Sequence, residues 1–108
     1  MGRLHYGQLE VAFDDRTLIH LQIAIGSKLR RGEGFFLSWI GAEDGHDARR
    51  SIWLGPTVPL GFTLESVRTG PINRRWLHDM DLHGSTESGL RVMPEPVLER
   101  VPERAGSR

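Results

Sequence analysis

The strongest hydrophobic pattern in the chain has helical period and runs from residue 15 to residue 31. Leu18, Leu21, Ile25 and Leu29 fall on one face at about 100° per residue, with Ile19 and Ile23 on a neighbouring face and Ala24 on the other flank. The polar strip left over is narrow: Arg16, His20, Ser27 and Arg31. A helix of this kind is expected to be covered on more than one side. Asp14 or Asp15 can cap its first free N–H groups, Lys28, Arg30 and Arg31 crowd the last turn, and Gly32 supplies a residue able to take φ > 0. The β-branched residues weaken its intrinsic propensity, so tertiary packing must hold it. Gly26 costs about 1 kcal/mol relative to alanine, which suggests a close approach by another backbone.

Strand period frames this helix. Leu9, Val11 and Phe13 alternate with Glu10 and Ala12, and with residues 3–6 they form a hairpin turning at Gly7. Residues 34–40 are rich in aromatics and apolar on nearly both sides, which places them centrally in a sheet. Residues 41–49 read as a polar, mobile loop. Strands follow at 50–54 and 60–64, separated by Pro56 and Pro59, which cannot serve an inner ladder. A second helix is expected from about Asn73 to His83, capped by Asn73, with Ile72, Trp76, Leu77 and Met80 as its inner stripe. A short last strand occupies 90–93. The order is ββ-α-βββ-α-β: a single α+β domain over residues 1–93, with a mixed or mainly antiparallel sheet and two helices. Residues 94–108 are rich in proline and charge and are expected to be a disordered tail.

Composition narrows the chemistry. The 108 residues suffice for one domain and one core. Fourteen basic and fourteen acidic side chains give a formal net charge of zero. No global field draws in DNA or an anionic membrane, and any nucleic-acid surface must be a local patch. With no cysteine there are no disulfides, no thiolate catalysis and no Cys-ligated zinc. Residues 1–7 carry no apolar run, so no signal peptide is expected, and no stretch approaches the ~20 apolar residues of a membrane span. A cytoplasmic location follows as the expectation. Lys28 is the only lysine, so lysine chemistry could occur there alone.

Blocks of residues carry a family resemblance. They are Met1-Gly2-Arg3-Leu4-His5-Tyr6-Gly7, Phe13-Asp14-Asp15-Arg16, His20-Leu21-Gln22, Lys28-Leu29-Arg30-Arg31-Gly32-Glu33, Phe35-Phe36-Leu37-Ser38-Trp39, Ile52-Trp53-Leu54, Ile72-Asn73-Arg74 and Gly89-Leu90-Arg91-Val92-Met93-Pro94-Glu95-Pro96. In this order they are similar to a family of small actinobacterial proteins of unknown function whose members are often labelled "ATP-dependent DNA ligase". The resemblance covers residues 1–96 and implies no established activity. A ligase forms a lysyl adenylate in a Lys-x-Asp-Gly setting, whereas Lys28 is followed by Leu29, Arg30 and Arg31. The label implies at most an association with DNA metabolism.

Candidate sites are few. Residues 31–39 invite comparison with the RNP1 strand of RNA-recognition domains, but Glu33 stands where an aromatic should stack. Core aromatics account for that stretch better. The arginine pairs Arg30-Arg31, Arg49-Arg50 and Arg74-Arg75 adjoin aromatic or strand residues. If two pairs converge they could track a nucleic-acid backbone while Trp53 or Trp76 stacks a base. Arg16 and His20, in the narrow polar strip, are candidates to line a cleft; the plainer reading of His20 is a satisfied, half-buried histidine. His78 and His83 lie about 140° apart on a helix and cannot chelate together. His46 with Asp44 and Asp47 is equally weak. No metal, no cofactor and no catalytic constellation is expected. The reading is a non-catalytic binding module. Self-association into a homodimer, or docking to another protein, comes first, on the strength of three Trp, four Phe and a nearly all-round apolar helix. Nucleic acid is the alternative partner, and a membrane is not expected.

Overall fold

A computed structural model describes residues 1–43, 45–84 and 89–97. Its elements are β1 (Gly2–Tyr6), β2 (Leu9–Phe13), α1 (Asp15–Arg30), β3 (Phe35–Glu43), β4 (His46–Leu54), β5 (Leu60–Thr63), α2 (Arg74–Gly84) and β6 (Leu90–Arg91). The order is the one the sequence implies. The strands are shared between two three-stranded sheets: β2-β1-β5, and β4-β3-β6 with β3 in its centre. The first is antiparallel throughout; in the second, β3 runs antiparallel to β4 and parallel to β6. At the break between β4 and β5, where Pro56 and Pro59 sit, the chain returns from the second sheet to the first. No helix among the described residues is long and apolar enough to cross a membrane.

Helix α1 starts and stops on local chemistry. The Asp14 carboxylate accepts from Thr17 N–H at 3.0 Å and from the Thr17 hydroxyl at 2.7 Å. At the other end Gly32 sits at φ 74°, Gly32 N–H donates to Leu29 O, and Glu33 N–H donates to Lys28 O. This closes the carbonyls that a helix end leaves open. Leu18, Leu21 and Ile25 are fully buried, as the periodicity implies. Two expectations fail here. Ile23 is 40% exposed, so the flank carrying Gln22, Ile23, Gly26 and Ser27 is open rather than wrapped. A Cβ at Gly26 would meet nothing within 4 Å, so no backbone comes close there.

One hydrophobic cluster joins both sheets to both helices, with Leu4, Leu21, Leu37, Leu54, Met80 and Leu90 completely buried. Residues 41–49, expected as a mobile loop, instead extend the β3–β4 ladder: Gly41 pairs with Ala48, Ala42 with Asp47 and Glu43 with His46. Backbone bonds carry a ladder, so a polar strand at a sheet edge needs no apolar alternation to form. Asp44 lies outside the described residues. In α2, Asn73 caps as expected, with Trp76 N–H donating to Asn73 Oδ1 at 3.1 Å. Trp76 and Met80 face inward, but Ile72 precedes the helix and is 37% exposed. Strand β6 stops at Arg91, though Val92 N–H still donates to Ser38 O. Beyond residue 93, where the sequence places the domain's end, Glu95 and Pro96 are held against α1 and α2. The rest of the expected tail, residues 98–108, lies outside the described residues.

Candidate binding face

Directly opposed residues of a ladder share a face. On β4-β3-β6 the core side takes Phe35 with Leu54, and Leu37 with Ile52 and Leu90. The outer side takes Phe36 with Trp53, Ser38 with Ser51 and Arg91, and Ile40 with Arg49. Neither helix covers that outer side: Phe36 is 44% exposed, Trp53 53% and Ile40 71%. Phe36 and Trp53 meet edge to face, with ring centroids 5.1 Å apart. A Cβ at Gly34 would come within 2.5 Å of Trp53 Cζ2, so it is the absence of a side chain there that lets the indole lie down on the strand. Below the sheet Phe13 and Trp39 make the matching buried pair at 5.7 Å.

The arginines divide by whether their charge is engaged. Arg3 lies 3.6 Å from Glu10, Arg31 contacts Glu33 and Asp81, and Arg75 faces Asp79. Arg50 shares the core-side register with Trp39 and is also engaged. Among the described residues Arg49 and Arg91, both on the outer face, have no ion pair or hydrogen-bonded partner for their guanidinium groups. With Ser38, Trp39, Ile40 and Val92 they line a concavity of about 180 Å³. Arg30 and Arg74 are exposed on α1 and α2. The three sequence pairs lie on different elements: adjacent arginines on β4 point to opposite faces, Arg30 and Arg31 stand at the end of α1, and Arg74 and Arg75 open α2. Trp76, offered with Trp53 as a stacking platform, is 2% exposed and presents no face to a base. Sequence reasoning missed Phe36, Ile40 and Arg91. The signal for Phe36 was strand alternation next to Phe35, which allows only one of the two rings into the core.

Arg16 and His20 build something other than a cleft. Arg16 grips Glu95 through Nε and Nη2 at 2.8 and 2.7 Å, and its Nη1 donates to the carbonyls of Thr69 and Pro71. His20 is fully buried. Its Nε2 accepts from Asn73 N–H at 2.8 Å, so Nδ1 carries the proton and donates to Arg16 O at 2.7 Å. The ring lies 4.5 Å from that of Trp76, whose Nε1 donates to Met93 O. Asn73 Nδ2 completes the circuit by donating to Glu95. Hydrogen bonds from Arg16, and after it from Asn73, hold the Glu95 carboxyl from the ordinary 4.5 down to about 2. Lys28, also hidden at 3% exposure, has its ammonium 3.8 Å from Glu33 and 5.6 Å over the Phe35 ring. Among the described residues no group of three or more His, Asp or Glu could hold a metal; the His83 side chain lies outside them.

Fold and face together define a small α+β domain with one sheet side packed on the core and the other presenting aromatic and cationic groups to solvent. The chain belongs to a family described as a domain of unknown function, DUF7882, whose match spans residues 1–95. This is nearly the stretch that carries the resemblance, and the match brings neither a source organism nor a ligase activity. No curated protein and no solved structure matches the chain.

Proposed function

We propose that this domain is a non-catalytic module that binds single-stranded nucleic acid on the outer face of β4-β3-β6. The observation that carries the reading is the coincidence on one face of an exposed, edge-braced indole, Trp53 with Phe36, and two guanidiniums, Arg49 and Arg91, that have no partner among the described residues. Every base has a π-face, and stacking on an aromatic side chain contributes about 1–3 kcal/mol per base. Arginine forks suit phosphate oxygens. A chain of zero net charge can still hold a strand by such a local patch, weakly and in a salt-dependent way.

Trp76 is buried and Trp39 nearly so, and the part of the tryptophan quenching by a short oligothymidylate that is lost in Trp53→Phe reports on Trp53. Binding is expected at low salt, with log K falling against log salt at a slope of about −1.4 for two phosphate contacts on a single strand. Trp53→Ala, followed by the anisotropy of a labelled strand because the reporter is gone, weakens it about tenfold or more. Absence of quenching at low salt and high protein concentration overturns the reading.

Self-association is the second reading. It is favoured by Ile40, whose exposed aliphatic side chain a strand does not need, and by the outer edge of β4, nine residues long and without a partner strand among the described residues. A dimer in sedimentation at micromolar concentration, dissociated by Ile40→Asp, supports it; a monomer removes it.

A further inference from the structure

Stacking on Trp53 and Phe36 does not require the concavity at the other end of the face. Arg49 and Arg91 approach it from opposite sides of β3, one opposite Ile40 and the other opposite Ser38. Strand spacing near 4.8 Å and a rise near 3.3 Å per residue put their Cα atoms roughly 12 Å apart. Two long side chains at that separation can reach one ion placed between them. At about 180 Å³ the space is smaller than the roughly 300–1,000 Å³ of sites that enclose a whole cofactor. None of its lining residues among those described is acidic. Asp47, the next residue along β4 on that face, makes no ion pair with Arg49 among the described residues.

Resting on the strand-binding reading, we infer that Ser38, Arg49 and Arg91 seat the terminal phosphate of the bound strand, a phosphomonoester rather than a diester in passage. Two guanidinium forks set two positive charges around one space, and the single charge of a diester matches only one of them. A monoester presents three oxygens and, well above its second pKa of about 6, close to two negative charges. Trp53 stands four residues along β4 from Arg49, about 13 Å away. A stacked strand covers that distance in roughly four nucleotides at 3.4 Å each. One short oligonucleotide can therefore occupy seat and platform together.

The test titrates the intact protein with oligothymidylates ending in a 5′-phosphate, a 3′-phosphate or hydroxyls only, read by Trp53 quenching and, for every variant, by the anisotropy of a fluorophore on the other end of the strand. One phosphorylated form should bind about tenfold more tightly than the hydroxyl form. The preference should shrink below pH 6, where the monoester gains a proton. Arg91→Gln should erase the preference and keep the quench; Trp53→Ala should weaken all three strands; Arg68→Gln, in the segment between β5 and α2 rather than on β4-β3-β6, should change neither. Equal binding of the three strands overturns the phosphate seat while leaving strand binding intact. If no strand binds, both readings of the strand fall. Inorganic phosphate, monitored at the arginine Nε–H resonances, then shows whether an anion site remains or nothing does.

Discussion

Two clusters of arginine and tryptophan sit in this small domain and do opposite things. Around Arg16 every strong donor has an acceptor: Glu95, Thr69 O and Pro71 O for the guanidinium, Met93 O for the Trp76 indole, Arg16 O for His20. On the outer sheet face Trp53 is half in solvent, and Arg49 and Arg91 have no guanidinium partner among the described residues. The residue types are the same. A completed set of hydrogen bonds makes the first cluster part of the scaffold, joining α1, the turn before α2 and the segment after β6. The open set leaves the second able to gain from a ligand. The comparison also explains why a polar helix stripe was a poor pointer to a cleft. Buried polar groups are retained where they are fully paired, and His20 spends both ring nitrogens on the scaffold.

The sharpest way to break this contrast is to truncate both tryptophans. Trp76→Ala removes a buried side chain and its indole hydrogen bond, with an expected loss of about 3–5 kcal/mol, enough to endanger the fold of a marginally stable domain. Trp53→Ala should stay within about 1 kcal/mol in urea denaturation while weakening strand binding. Equal destabilisation by the two would mean that the outer face is part of the core.

Asn73 sharpens the description of the scaffold cluster. Its Oδ1 caps α2 while its Nδ2 donates to Glu95 and Pro96 O. Asn73→Ala loses cap and donor together, at a cost of about 1–2 kcal/mol. Asn73→Asp keeps the cap but sets a second carboxylate beside Glu95. If the clasp matters, Asp should recover little of the Ala deficit at neutral pH and more of it in acid. Full recovery at pH 7 would reduce Asn73 to a cap.

Glu95 gives the next, smaller effect. Its folded-state pKa is depressed, from the ordinary 4.5 to about 2, by the Arg16 hydrogen bonds and then by Asn73. The stabilisation is therefore fully present above about pH 4.5 and lost as pH falls toward 2. Urea midpoints of the native chain should decline through that window more than those of Glu95→Gln. Parallel curves would show that the ion pair is not maintained in solution.

How much of this was legible in the sequence follows from which forces act locally. Asp14, Thr17 and Gly32 set the limits of α1 through bonds to near neighbours, and those limits were readable. Phe35 and Phe36 are both apolar, and only the register with Leu54 and Trp53 says which ring is buried. Lys28 read as a cation favoured at a helix end; that Glu33 and the Phe35 ring enclose it depends on the strand folding back. Gly26 read as a contact point, but a glycine on an exposed helix flank shows the same letter with nothing beside it. Arg49 and Arg91 are forty-two positions apart in the chain, and a two-residue parallel strand, β6, is all that brings the second onto the face.

Gly34→Ala probes the face with the least effect on the fold. The added methyl would collide with the Trp53 ring, which is the outer, solvent-bordered end of a side chain rather than fixed backbone. The indole can lift away, so the cost in stability should be below about 1 kcal/mol. Lifting moves the ring out of edge contact with Phe36 and changes the platform offered to a base. Weakened quenching by oligothymidylate and an altered near-UV signal, with an unchanged urea midpoint, are the expected outcome. A large loss of stability would mean that Trp53 is held as firmly as Trp76, and the distinction between a filled cluster and an open one would no longer separate scaffold from site.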